Sequence, residues 1–207
     1  MALDDIFNLE NFLIGDLVKY LYNPESLGGI SIPGFMKEDF RKLLSSEIKN
    51  LDFEKVRQQE GLVKEGYERV YINFDNPEEL REYPLIQLLV SEYSQIYKEF
   101  SRLATFKGMI NTVGVHRYNA NDIGITPHID HIKEGVNLIS IFCVEGEAEF
   151  CVCKDKSKVG SVKLDSSLCS LILLRAPRTN EEKKLRPTHY IGNIKREKLS
   201  LMLRQQP

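Results

Sequence analysis

The chain contains 207 residues, of which 42% are hydrophobic and 28% are charged, and its net charge is −2. These values are typical of one large globular domain, and they exclude a global basic charge for nucleic acid. The sequence has no apolar stretch long enough to cross a membrane. Its acidic start does not resemble a targeting peptide, so we expect a cytoplasmic protein, or a nuclear one in a eukaryote.

Residues 1–29 are predicted to form an N-terminal helical extension, and residues 30–207 the main domain. Apolar residues recur at roughly helical spacing in the first segment, and Asn23-Pro24 ends this pattern. A pair of glycines then provides a turn before the main domain.

The first half of the main domain is predicted to be largely helical. Residues 37–50 have the apolar spacing of an amphipathic helix. A second, longer helix is predicted from Pro77 to about Leu103, divided at Pro84. Residues 67–74 have the composition of a strand and are predicted to form a hairpin arm.

The second half contains short strand-like runs separated by turns, at 109–118, 136–144, 147–153, 159–164, 169–174 and 198–204. Helices followed by strands predict an α+β protein whose sheet forms the core. Successive short strands favour a barrel or jelly roll over a parallel sheet.

His128 and Asp130 are the most informative pair of residues in the sequence. They flank a single residue and follow Pro127, which favours extended backbone, so both side chains are predicted to lie on one face. An imidazole and a carboxylate so placed can bind one metal ion. Because such a pair is common without metal, it predicts a site only together with a third ligand.

His189 is the candidate third ligand. His131 lies too close in sequence to add a well-separated ligand, whereas His189 precedes the last strand. Two histidines and one carboxylate can occupy one face of an octahedral Fe(II) and leave positions open for oxygen and a co-substrate. The alternative is that His128 and His189 are unrelated surface or core residues.

The last predicted strand, residues 198–204, alternates between apolar and polar side chains. Lys198 and Arg204 lie on the polar face, which in a sheet usually contacts water. In a barrel the same face points inward, where two cations would need an anion such as a dicarboxylate. The strand pattern alone leaves both interpretations open.

His116 and Tyr118 share one face of the strand predicted at 109–118. The Tyr118 phenol can donate a hydrogen bond to a carboxylate oxygen. The alternative is an ordinary core tyrosine.

Together these segments resemble the AlkB-like Fe(II)/2-oxoglutarate-dependent dioxygenases over most of the chain. The matching motifs are Ile32-Pro33-Gly34-Phe35-Met36, Val115-His116-Arg117-Tyr118-Asn119, Arg186-Pro187-Thr188-His189 and Leu199-Ser200-Leu201-Met202-Leu203-Arg204. The resemblance implies a double-stranded β-helix, or jelly roll, with an N-terminal helical buttress.

The resemblance also implies a reaction and two sets of site residues. The catalytic, metal-binding set would hold Fe(II): His128, Asp130 and His189. The second set would hold the co-substrate 2-oxoglutarate: His116, Tyr118, Lys198 and Arg204. Molecular oxygen would convert 2-oxoglutarate to succinate while a C–H bond of the substrate is hydroxylated, and a hydroxylated N-methyl group would be lost as formaldehyde.

The chain departs from the family pattern at three positions. Lys198 replaces the first of two arginines in the closing strand and lacks the planar fork of arginine, and Arg196 lies on the same face as an alternative. His116 replaces an asparagine. Ile132 stands where nucleobase-repair members tend to carry an acid that accepts a hydrogen bond from a base.

Three functions are consistent with these observations. The first is hydroxylation or demethylation of an N-methylated RNA or DNA, with the 67–74 arm and the basic region 175–198 framing the site. The second is the same chemistry on a protein side chain or small metabolite, which Ile132 and the near-neutral charge permit. The third is a non-catalytic β-helix that binds a partner, against which the complete ligand set argues. No membrane partner is expected.

Overall fold

The computed structural model describes residues 3–10, 12–60, 63–104, 108–130, 136–176 and 186–205. Within these ranges the helices are α1 (Leu3–Ile6), α2 (Ile14–Leu21), α3 (Glu38–Ile48), a 3-10 helix (Pro77–Leu80) and α4 (Pro84–Ala104). The strands are β1 (Gly29–Ile32), β2 (Glu54–Glu60), β3 (Val63–Asn73), β4 (Thr112–Tyr118), β5 (Gly124–His128), β6 (Leu138–Glu145), β7 (Glu149–Cys153), β8 (Val162–Leu164), β9 (Leu171–Arg175), β10 (Thr188–Gly192) and β11 (Lys198–Arg204). None of the helices in this described part of the chain is long and apolar enough to span a membrane.

The eleven strands of the described ranges form one antiparallel sheet that curves into a nearly closed barrel. Neighbouring strands follow the order β1-β9-β6-β11-β4-β3-β5-β10-β7-β8, and β2 extends β3 as a hairpin. The two ends of this order meet, because the Asp165 N–H after β8 donates a 2.9 Å hydrogen bond to Ser31 Oγ in β1. The architecture confirms the predicted jelly-roll core of an α+β protein, with only a small helical buttress.

Strand β6 is buried on both faces and separates two hydrophobic clusters. Leu138, Phe142 and Val144 pack with the helices, whereas Ile139 and Ile141 belong to the cluster inside the barrel. A strand buried on both faces has a nearly continuous apolar sequence, and in β6 the polar exceptions are Ser140, whose hydroxyl is hydrogen-bonded to the Tyr93 hydroxyl, and the last residue, Glu145. The helices therefore cover the outer face of the sheet and leave the barrel interior for a site.

Helix α4 begins at Pro84, the residue at which the sequence predicted a longer helix to divide, and Pro77–Leu80 form a separate 3-10 helix. Proline is tolerated in the first turn of a helix. The first N–H groups of α4 have no partners within the helix. The Glu47 carboxylate from α3 accepts hydrogen bonds from Leu85 N–H (3.0 Å) and Ile86 N–H (2.8 Å). This contact joins the start of α4 to α3.

The N-terminal segment packs into the main core. Within the segment predicted as a helical extension, the structure has two short helices, α1 and α2. Ile6 and Phe7 are almost fully buried, and the Phe7 ring stacks on that of Phe35 with 4.9 Å between centroids. Strand β1 begins at Gly29 and pairs with β9 in the barrel. The predicted boundary between an N-terminal extension and a main domain at residue 29 stays a prediction.

Replacing Phe7 by Ala should lower the free energy of unfolding by about 3–5 kcal/mol, because it leaves a cavity beside Phe35 and Phe142. Urea denaturation followed by circular dichroism measures the loss. Leu13→Ala is the control: Leu13 is 66% exposed, so its loss should stay below about 0.5 kcal/mol. A Phe7→Ala loss no larger than that of the control would contradict a structural role for this segment.

Candidate active site

His128, Asp130 and His189 come together in the structure. His128 ends β5 and His189 lies in β10, where the two residues are direct cross-strand partners. Asp130 Oδ1 lies 3.3 Å from His128 Nε2, and Asp130 Oδ2 lies 3.8 Å from His189 Nε2. One ligand atom from each residue lies within 4.8 Å of the other two, a spacing that suits a single metal ion.

Backbone carbonyl groups orient both imidazole rings. His128 Nδ1–H donates a 2.9 Å hydrogen bond to Thr126 O, and His189 Nδ1–H donates a 3.2 Å hydrogen bond to Pro187 O. A carbonyl oxygen only accepts, so each Nδ1 carries the proton and each Nε2 keeps its lone pair. Metal-binding histidines are oriented in this way in known sites.

The charges at the three side chains also favour a cation. Burial alone would raise the pKa of Asp130, but His189, His128 and Arg204 hold it well below its usual range, so the carboxylate is ionised at neutral pH. Burial opposes the charged form of His128, yet its contacts with Asp130 raise its pKa, whereas burial lowers the pKa of His189. Two imidazoles and one anion are the donor set of a facial triad, which fits Fe(II).

His128, Asp130 and His189 lie in the wall of a cavity of about 870 Å³. Apart from these two histidines, the described lining residues with rings are Tyr67, Tyr71, His116, Tyr118 and Phe150. Apart from Asp130, those with charged side chains are Glu65, Arg69, Lys156, Arg186 and Arg204. Cations outnumber acids among these residues, which favours an anionic ligand.

His116 and Tyr118 line the cavity on the same face of β4, as predicted. His116 Nδ1 lies 3.2 Å from the Tyr118 hydroxyl, and His116 Nε2 lies 3.1 Å from the Tyr71 hydroxyl. Both ring nitrogens therefore have partners within the protein. The direct contact between His116 and a co-substrate that the sequence predicts stays a prediction, and it would require His116 to exchange one of these two contacts.

Arg204 is the predicted cation that the structure places in the cavity wall. Its guanidinium carbon lies 5.1 Å from the centroid of the Tyr71 ring. Its Nε–H is buried and has no hydrogen-bond partner within the described ranges. Because an unpaired buried donor costs free energy, an anion in the cavity would be stabilised here.

Lys198 is not among the described residues that line the cavity. It is 1% exposed, and its Nζ donates a 2.6 Å hydrogen bond to Ser166 O. Its cross-strand partner is Tyr118, so the Lys198 backbone lies next to the part of the cavity wall that Tyr118 forms. The amine is directed toward Ser166 and away from the cavity. Arg196, the alternative from the sequence, is exposed and does not line the cavity either.

Four charged lining residues were not predicted as site residues: Glu65, Arg69, Lys156 and Arg186. Arg69 lies two residues from both Tyr67 and Tyr71 in β3, so the three side chains share one face of the strand. This spacing could have predicted Arg69 as a site residue. The Arg186 side chain contacts the backbone of the site: its Nη1–H donates a 2.7 Å hydrogen bond to the carbonyl oxygen of Asp130. No sequence signal pointed to that contact.

The basic region predicted at 175–198 is only partly described. Arg175 is buried and donates a 2.9 Å hydrogen bond to Leu21 O, so it serves the N-terminal segment. His131 and Ile132, like residues 177–185, lie outside the described residues.

Comparisons with known proteins give structural matches only, since no protein-family model and no curated protein matches the sequence. A prolyl-4-hydroxylase from Pseudomonas putida matches with a TM-score of 0.69 and 10% identity, over 94% of this chain and 100% of that chain. An oxidoreductase of the 2OG-Fe(II) oxygenase family from Burkholderia pseudomallei matches with a TM-score of 0.61 and 12% identity, over 96% of this chain and 92% of that chain. The chain has the fold of the 2OG-Fe(II) oxygenases.

A third structure has a peptide bound. It is a prolyl hydroxylase from Trichoplax adhaerens in complex with a hypoxia inducible factor oxygen degradation domain peptide fragment, with a TM-score of 0.66 and 16% identity, over 93% of this chain and 90% of that chain. These matches support the wider 2OG-Fe(II) oxygenase fold, and they do not single out the AlkB-like branch. Because a fold does not determine an activity, the chemistry depends on the site residues.

Proposed function

We propose that the protein is an Fe(II)- and 2-oxoglutarate-dependent oxygenase. The observation that carries the proposal is the convergence of His128, Asp130 and His189, with both Nε2 atoms held free, in the wall of a cation-rich cavity. These side chains would hold Fe(II), which when bound supplies the activation of molecular oxygen. A non-catalytic binding protein would have no need of two imidazoles oriented for a metal.

Three residues are proposed to bind 2-oxoglutarate. Arg204 lies near Asp130 and would bind the end of the co-substrate at the metal. Tyr118 would donate its phenol hydrogen to the distal carboxylate, and Lys198 would exchange its contact with Ser166 O for the same carboxylate. The Cα atoms of Lys198 and Arg204 are about 20 Å apart along β11, so each side chain would serve a different end.

Apolar residues of the barrel would protect the reaction from water. Ile141, Phe150 and Met202 line the cavity from three different strands. Such a wall strengthens the electrostatic contacts made by the co-substrate and limits side reactions.

For the substrate we propose a protein side chain or a small molecule. One structure of similar fold has a peptide bound. An N-methylated RNA or DNA, as expected from the AlkB-like resemblance, has less support. Tyr67 is 6% exposed, so its ring is not free to stack on a flipped base. Tyr71 is 36% exposed, but the guanidinium carbons of Arg69 and Arg204 lie 5.3 and 5.1 Å from its ring centroid, and these groups would compete with a base for the ring.

Succinate formation tests the proposal. Protein purified without oxygen and loaded with Fe(II) should form succinate when 2-oxoglutarate and air are added, and a chelator should stop it. Pools of peptides, small metabolites and N-methylated oligonucleotides are then compared for stimulation. Stimulation by oligonucleotides alone would overturn the proposed substrate class, and no succinate from metal-loaded protein under any condition would overturn the oxygenase.

A further inference from the structure

Tyr71, His116 and Tyr118 form a continuous hydrogen-bonded chain along one wall of the cavity. The Tyr71 hydroxyl contacts His116 Nε2 at 3.1 Å, and His116 Nδ1 contacts the Tyr118 hydroxyl at 3.2 Å. All three residues line the same cavity as the metal ligands. The chain therefore links the position proposed for the co-substrate carboxylate with a second position beside Tyr71.

The backbone holds this arrangement in place. Tyr71 lies opposite Gly114 across the β3–β4 ladder, and a Cβ at Gly114 would lie 2.7 Å from Tyr71 Cε1. Glycine is thus required for the Tyr71 ring to lie over β4. Tyr67 packs on the other side, with its ring centroid 4.7 Å from that of His116.

All three groups are neutral near pH 7. Burial lowers the pKa of His116 to about 3, and burial raises the pKa values of Tyr71 and Tyr118 above the usual range of a phenol. The chain then contains one hydrogen on each phenol and one on the imidazole. Two of these hydrogens make the two internal hydrogen bonds, so a single hydrogen is left over, and it points outward at one end of the chain or at the other.

We propose that this chain is a tautomeric relay in which binding of 2-oxoglutarate at Tyr118 switches Tyr71 from a hydrogen-bond donor to an acceptor. The inference rests on the function proposed above. When the Tyr118 hydrogen is donated to a carboxylate, the Tyr118 oxygen can only accept from His116, so the imidazole hydrogen lies on Nδ1. His116 Nε2 then accepts from Tyr71, whose oxygen presents only lone pairs to the cavity.

The relay has a consequence for substrate selection. With the co-substrate bound, Tyr71 would accept a hydrogen bond from an N–H or O–H group of a substrate. Without it, the outward hydrogen can lie on Tyr71, where it would face the same group and oppose that contact. The relay therefore favours a substrate with a hydrogen-bond donor beside Tyr71, bound after the co-substrate.

Nitrogen NMR of the imidazole tests the relay directly. Protein with ¹⁵N-labelled histidine is loaded with Zn(II), a diamagnetic ion that accepts the same ligands, and 2-oxoglutarate is added to saturation. Long-range proton–nitrogen spectra identify which His116 nitrogen carries hydrogen, and a His116→Asn sample assigns the signal. The Nδ1–H form should gain by about tenfold or more, as expected for one hydrogen bond to a carboxylate.

Two isosteric variants separate the relay from a general change in structure. Tyr71→Phe should keep the response, because Tyr118 drives it, whereas Tyr118→Phe should lose it even at saturating 2-oxoglutarate. Calorimetry on the same samples measures binding independently. Binding without a change of tautomer in the unmodified protein would overturn the relay alone, whereas no binding at all would overturn the proposed function and the relay with it.

Discussion

Replacing Asp130 by Asn should abolish succinate formation and weaken Fe(II) binding by about a hundredfold or more, since even loss of a group that only supports a ligand costs tenfold to a hundredfold. The carboxylate is the anion of the site and lies 3.3 Å from His128 Nε2 and 3.8 Å from His189 Nε2. An amide of the same shape keeps the geometry and removes the charge. Anaerobic titration with Fe(II) and a succinate assay measure the two effects.

Asp16→Asn is the matched control for this change. Asp16 lies in α2, and its side chain is 70% exposed in a contact with Lys19, so metal affinity and turnover should not change. Fe(II) affinity of Asp130→Asn within a few-fold of the original, for protein shown to be folded, would contradict the ligand assignment.

Replacing Lys198 by Met should raise the dissociation constant of 2-oxoglutarate by about tenfold or more, because a charge-assisted hydrogen bond to the distal carboxylate is lost. The free energy of unfolding should change by only about 1 kcal/mol, since Met fills a similar volume and a buried charge is removed along with its contact to Ser166 O. Calorimetry with Mn(II)-loaded protein measures the affinity for 2-oxoglutarate, and urea denaturation measures the free energy of unfolding.

Two companion measurements make the Lys198 experiment specific. 2-Oxobutyrate lacks the distal carboxylate, so its affinity should be the same before and after Lys198→Met. Lys195→Met is the control variant, because Lys195 pairs with Glu147 on the surface and should leave both affinities unchanged. An unchanged affinity of Lys198→Met for 2-oxoglutarate would contradict the proposed contact between Lys198 and the distal carboxylate. Lys198→Arg should bind the co-substrate more tightly if there is room for its fork.

The sequence predicted the core strands better than the strands that carry His128 and His189. Strand β6 is largely apolar because both of its faces are buried, and Pro84, which was predicted to divide a longer helix, is the first residue of α4. Strands β5 and β10 were not predicted, since they are short and contain proline, glycine and polar residues. Their extended form depends on pairing with each other and with neighbouring strands, which a local pattern does not record.

Alternation along a strand predicts which side chains share a face of the sheet. It does not predict which atoms a long side chain contacts. Alternation placed His116 with Tyr118. It could not predict that Tyr71 occupies the second nitrogen of His116, because that contact crosses from β3 to β4. Nor could it predict the direction of Lys198, which lies beside an irregularity in the β11–β6 pairing and contacts Ser166 O.

The cross-strand pairing of His128 with His189 makes the ligand spacing independent of the segment that separates them in sequence. Hydrogen bonds between β5 and β10 set that spacing, while Asp130 stands at the beginning of the segment and Arg186 near its end. Insertions directly after Asp130 or directly before Arg186 would therefore leave His128 and His189 in register. Chains that differ in length at these two positions would keep the same arrangement of the two imidazoles.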